Sequence, residues 1–134
     1  MEFIFMLTRN DQTIQDCIDV VDRAVDLGIS HIGFKDVGVD TDVLRTLNDR
    51  IRGAGAVSYL EVVSTSHERA LSSAEFAVLI GVDRLLGGTW VEDTMALTSD
   101  TTVDYLPFVG RPEGHPTRLG GTAASVAADV ARAV

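Results

Sequence analysis

A repeat constrains this chain more than any single residue does. A short apolar run, a polar turn, an amphipathic segment and a glycine recur about every 25 residues, the pattern of βα units feeding a parallel sheet. The first unit joins Phe3 to Leu7 with a stripe of Ile14, Cys17, Ile18, Val21, Ala24 and Val25. Steps of three and four put those residues on one side of a helix. Thr13-x-x-Asp16 offers that helix a capping box, and Gly28 ends it.

The later units repeat the design. A strand through His31 to Phe34 precedes a helix that starts around Asp40 to Asp42, carries Val43, Leu44, Leu47 and Ile51, and finishes at Gly53 and Gly55. Val57 to Val62 reads as the third strand. Thr65-x-x-Glu68 caps the next helix, with Ala70, Leu71, Ala74, Ala77 and Val78 on its stripe and Gly81 at its end. Val82 to Leu86 opens through Gly87-Gly88-Thr89 into a helix over Val91 to Leu97. Val103 to Val109 is the fifth strand, with Pro107 better suited to an edge or bulge. A long loop, G-R-P-E-G-H-P, then leads through Gly120-Gly121-Thr122 to a helix presenting Val126, Ala127, Val130, Ala131 and Val134 on one face.

Charge and length narrow the function classes. The 134 residues suit one domain able to bury roughly two-thirds of its unfolded surface. A net charge of −9, from 20 acids against 11 bases, argues against a nucleic-acid partner, because that affinity rests on Lys and Arg neutralising phosphates. Local basic groups can still hold one small anion. Residues 3 to 7, F-I-F-M-L, are too short and lack the basic start of a signal peptide, so they read as a buried strand. No apolar stretch approaches the roughly 20 residues of a membrane helix. The single cysteine, Cys17, allows no internal disulfide and fits a cytoplasmic home.

Five βα units are compatible with two architectures. They can form a complete doubly wound sheet of the flavodoxin type, or five-eighths of a TIM barrel, which needs roughly 250 residues. Every strand here ends in chemically useful polar groups and the final helix stops without a cap glycine, which favours a barrel lacking its last three units. The open strand edges of such a partial barrel would need cover, from a homo-oligomer or from the missing C-terminal segment. Strand order separates the two: 1-2-3-4-5 for the barrel, 2-1-3-4-5 for flavodoxin.

The strings F-M-L-T-R-N-D, G-F-K-D-V-G, Y-L-E-V-V-S, G-V-D-R-L-L-G-G-T and P-F-V-G-R-P-E-G-H-P resemble the N-terminal part of a poorly characterised bacterial family of single-domain TIM barrels. More distantly, the chain is similar to the ribulose-phosphate-binding barrels. The resemblance implies a barrel fold and carries no reaction with it. The chain departs from that pattern by ending before strands six to eight, where such superfamily members usually hold the substrate phosphate.

Candidate chemistry gathers at the carboxyl ends of the strands, where α/β sheets and barrels keep their ligands. Lys35 and Asp36 close the second strand, and alternation lets only one of them face a central site. The phases Gly33–Lys35 and Tyr59–Glu61 turn Lys35 and Glu61 the same way, as a cation–carboxylate pair on neighbouring strands. Such a pair can polarise a carbonyl and move the adjacent proton, or it can be a structural ion pair. Arg9 and Arg111 follow strands one and five and suit carboxylate or phosphate, although loop arginines are often only solvated. His115, between two turn formers, can titrate near neutral pH or serve only the turn. His31 and His67 are assigned to structure, and Cys17 to the core.

Gly87, Gly88 and Thr89 precede a helix and form the best phosphate cradle, or else a tight turn with a Thr cap. They match neither a Walker loop nor a dinucleotide fingerprint, and no cofactor is expected. Asp36, Glu61 and His115 can in principle surround an ion, but no ligand spacing recommends a metal. The expectation is therefore a TIM-barrel-type enzyme of the isomerase, lyase or aldolase kind. Lys35 would be the cation, Glu61 the acid–base, with Asp36 and His115 beside them and Arg9, Arg111, Gly87, Gly88 and Thr89 holding a small anionic or phosphorylated carbonyl metabolite. The rival expectations are a non-catalytic flavodoxin-like binding module and a self-associating half-barrel scaffold.

Overall fold

The computed structural model describes residues 3–113 and 118–133. Along the chain they form β1 (Phe5–Met6), β2 (Thr8–Arg9), β3 (Gln12–Thr13), α1 (Cys17–Asp26), β4 (His31–Lys35), α2 (Thr41–Gly53) and β5 (Val57–Val62). There follow α3 (His67–Ile80), β6 (Arg84–Gly87), α4 (Val91–Thr98), β7 (Asp104–Leu106), β8 (Arg111–Glu113), β9 (Arg118–Gly120) and α5 (Ala123–Ala133). This is a mixed α/β fold on a five-strand parallel sheet, ordered β1-β4-β5-β6-β7. The five βα strands thus lie side by side in chain order. Two small antiparallel hairpins, β2–β3 and β8–β9, stand outside that sheet.

Sequential order has a geometric consequence. Right-handed crossovers that always step in one direction put every helix on the same face of the sheet. Ile32, Phe34, Leu60, Val62 and Leu85 point to that face and join one core with Val21, Leu44, Leu47, Ile51, Ala70 and Ala77 of the helices. The alternate residues point the other way. Gly33 lies under the Met6 side chain, since a Cβ there would come within 2.3 Å of Met6 Sδ. On the same face the fully buried Tyr59 has its hydroxyl 2.8 Å from His31 Nδ1 and accepts a 2.7 Å bond from Arg84 Nη1. The His31 ring packs against that of Tyr59 at 5.8 Å between centroids.

Several boundaries differ from the sequence reading. Only Phe5 and Met6 of the first apolar run pair in the sheet, and Phe3 is exposed. Thr13 is not in a capping box; it lies in β3, and Asp16 is the N-cap of α1 without a side-chain bond. The N-cap of α3 is Ser66 rather than Thr65, again without a side-chain cap bond. The loop after the fifth strand is partly the β8–β9 hairpin. Gly81 does cap α3 in the left-handed conformation, with φ 67°. Cys17 is fully buried, and desolvation pushes its thiol pKa up. Among the described residues no helix is long and apolar enough to cross a membrane.

Candidate functional site

Lys35 and Glu61 are register partners on adjacent parallel strands, so their side chains leave the sheet on the same face. Lys35 Nζ lies 3.5 Å from Glu61 Oε2. The lysine is buried while the carboxylate reaches the edge of a cleft at the carboxyl ends of the strands. That pairing is what alternation along the two strands predicts.

A second carboxylate completes the arrangement, and it comes from the β2–β3 hairpin. Arg9 pairs with Gln12, leaving Asn10 and Asp11 as a two-residue turn with φ 51° and 59°. Positive φ at both central residues is the type I′ geometry, which Asn and Asp tolerate better than most side chains. The turn delivers Asp11 Oδ1 to 2.9 Å from Lys35 Nζ. Thr13 anchors the hairpin: its hydroxyl donates to Lys35 O at 2.8 Å and accepts from Lys35 N at 2.9 Å. Leu7 N donates to Gly33 O just before this point, so the Thr13 hydroxyl continues the β1 side of the ladder after the chain turns away. Gly38 closes the packing, since its backbone leaves no room for a Cβ against Thr13.

Asp36 takes a different place. Its Oδ2 accepts a 2.5 Å bond from Ser73 of α3, and its Oδ1 a 3.3 Å bond from Val63 N. It ties α3 to the strand end and does not line the cleft. Alternation separates it from Lys35, its neighbour in sequence.

The cleft has a volume of ≈ 880 Å³, within the range of small-molecule sites. Asp11, Lys35 and Glu61 form one part of it, while Gly88, Thr89 and Trp90 after β6 and Phe108 after β7 form another. Arg111 and Glu113 of β8 also line it, with Arg111 Nε 3.9 Å from Glu113 Oε1. Gly87 lies just below, at φ 90°, where a Cβ would come within 3.0 Å of the Phe108 ring. Thr89 precedes α4 without capping it, since the N-cap is Trp90. Under Gly88 the Tyr105 hydroxyl is buried, and desolvation raises its pKa.

Of the residues singled out from sequence, Lys35, Glu61, Gly88, Thr89 and Arg111 meet in this cleft. Arg9 is exposed on the hairpin outside it. His115 lies outside the described residues. Asp11, Trp90 and Phe108 carry no local signal in the sequence beyond the Asn10-Asp11 pair, a turn-forming dipeptide between two short polar runs. Comparison of the chain with protein-family models, with curated proteins and with solved structures found no match.

Proposed function

We propose that this chain is built as five units of a TIM-type barrel and acts on a small anionic or phosphorylated carbonyl metabolite by proton transfer or C–C bond chemistry. Sequential strand order supports the barrel over the doubly wound alternative, whose first strand lies between the second and third. The observation that carries the function is the buried Lys35 ammonium, 3.5 Å from Glu61 Oε2 at the mouth of the sheet.

The chemistry follows from the two charges. A carbonyl oxygen placed against Lys35 gains a cation where enolate charge develops, in a partly desolvated site where that charge counts for more. Glu61 takes the proton from the adjacent carbon, the C–H electron pair forms the C=C bond, and the carbonyl π pair moves onto the oxygen. Where that carbon bears a hydroxyl, the hydroxyl proton passes to the former carbonyl oxygen, the carbon-bound proton returns to the former carbonyl carbon, and the isomer results. If a C–C bond breaks instead, Glu61 takes the proton of a hydroxyl on the β carbon, that carbon becomes a new carbonyl, and the C–C electron pair forms the enolate held at Lys35. Arg111 and the backbone at Gly88 and Thr89 are the groups available for the anionic end.

The test is exchange of the proton beside the carbonyl. The protein is incubated in D2O with simple 2-oxo acids and sugar phosphates, and the loss of the proton signal is followed by NMR. The expected result is exchange above the buffer rate that disappears in Glu61→Gln. Exchange equal in wild type and variant would remove Glu61 from the reaction.

A further inference from the structure

Resting on the carbonyl reading above, we infer that the substrate carries a planar, aromatic ring in addition to its carbonyl and acid group, and that Trp90 and Phe108 receive that ring. Asp11, Lys35 and Glu61 line the cleft on the β1 to β5 side of the sheet, and Arg111 and Glu113 line it from β8. The other side, after β6 and β7, presents Trp90 and Phe108. A ligand reaching from Lys35 to the two rings is therefore polar at one end and flat and apolar at the other.

Both rings have neighbours that hold them in place, and Trp90 also packs against the edge of the core. Trp90 is only partly buried, and the His67 ring packs against it at 5.5 Å between centroids. His67 is fixed in turn by Asp93, whose Oδ2 lies 2.6 Å from His67 Nε2. Phe108 lies over Gly87, with its ring occupying the space a side chain there would need. Phe108 also remains 37% exposed, so its face is not consumed by the core. Large apolar side chains left open to a cleft cost free energy unless something covers them, and aromatic rings are best covered by another ring.

A sugar phosphate fits this cleft poorly. Its hydroxyls would stand against two ring faces, where few of their hydrogen bonds to water are replaced. A ring-bearing 2-oxo acid suits both ends: its adjoining carbonyl and carboxylate at Lys35, its ring beside Trp90 and Phe108.

Trp90 is the only tryptophan in the chain, so its fluorescence reports the cleft directly. The full chain is titrated with phenylpyruvate, pyruvate and ribose 5-phosphate, by fluorescence and by calorimetry, in wild type, Phe108→Ala, Phe108→Leu and Lys35→Met. Circular dichroism verifies the fold of each variant. Phenylpyruvate should bind about tenfold or more tighter than pyruvate and shift the Trp90 emission, because burying a phenyl ring is worth at least that ratio. Phe108→Ala should remove most of the preference and Phe108→Leu should retain part of it. Pyruvate or ribose 5-phosphate binding as tightly as phenylpyruvate would overturn the inference, as would a preference untouched in both Phe108 variants. Pyruvate binding that depends on Lys35 without any aromatic preference would end this inference and leave the carbonyl reading standing. Binding unchanged in Lys35→Met, or no binding of either oxo acid, would end both.

Discussion

Asp11 Oδ1 lies 2.9 Å from the ammonium of Lys35, across 24 residues of sequence, because a two-residue turn carries it there. The same lysine reaches Glu61, so one buried cation is shared between two carboxylates that are themselves partly exposed. The sharing leaves the ammonium compensated when either carboxylate turns away from it. The hairpin that makes it possible is fastened to the backbone of Lys35 itself, through Thr13.

Thr13→Val tests that fastening. Valine keeps the shape and the β-branch but removes the hydroxyl that serves both the N–H and the C=O of Lys35. Leaving such buried backbone groups unpaired costs about 1–3 kcal/mol. Chemical denaturation should show that loss, and Thr13→Ser should restore most of it. Equal stability of Thr13→Val and wild type would mean that the hairpin is not anchored there.

The Lys35–Glu61 pair separates function from structure by a different pattern. Glu61→Gln leaves the ammonium paired with Asp11, so the fold should hold within about 1 kcal/mol. Lys35→Met puts an apolar side chain at a buried position and leaves two carboxylates within reach of water, so the melting temperature should stay level or rise. Both variants should lose at least about tenfold in binding of a 2-oxo acid. Large destabilisation with binding lost only as the fold is lost would make the pair structural.

The pair was legible because two strands of alternating phase suffice to orient it: Gly33–Lys35 and Tyr59–Glu61 have the same parity, and the register joins Lys35 to Glu61. The helix stripes were legible for the same reason, since period alone places Leu44, Leu47 and Ile51 in the core. Asp11 was not, because its position depends on an Asn-Asp turn that reads as loop and on a Thr13 contact far away in sequence. Thr13 itself was misplaced: its spacing to Asp16 imitates a capping box, and the hydroxyl found a better partner in Lys35. Trp90 depends on His67 and Asp93, from α3 and α4, and no local pattern encodes a contact between two helices. The second hairpin was hidden by its own turn formers. Arg111-Pro112-Glu113 reads as loop although it pairs with Arg118 to Gly120.

Two glycine replacements should move stability in opposite directions. Gly53 ends α2 with open space around its Cβ position, so Gly53→Ala should stabilise by about 0.5–1 kcal/mol. Gly38 sits at φ 107°, with Thr13 O 2.4 Å from where a Cβ would be. Gly38→Ala should cost at least about 1–3 kcal/mol and loosen the hairpin that carries Asp11. The check is a pair of urea curves. A neutral Gly38→Ala would contradict the packing of Gly38 against Thr13.

The attachment of α5 should be sensitive to acid. Asp129 accepts a 2.8 Å bond from Gly110 N and pairs with Arg132, and these partners, Gly110 first, hold its pKa below the usual carboxylate value. A depressed pKa in the folded state means that the carboxylate stabilises the contact above the unfolded value, about 3.9 for aspartate. That contribution is lost as pH falls through the lower, folded value. The Gly110 amide resonance should therefore titrate with a midpoint below the ordinary aspartate value, and α5 amides should exchange faster beneath it. In Asp129→Asn the Gly110 titration should disappear. Because Gly110 also lines the cleft, acid release of this bond should loosen the Arg111 side of the site before the sheet itself unfolds. A Gly110 midpoint at or above the ordinary value, or one unchanged in Asp129→Asn, would show that Asp129 does not hold this loop.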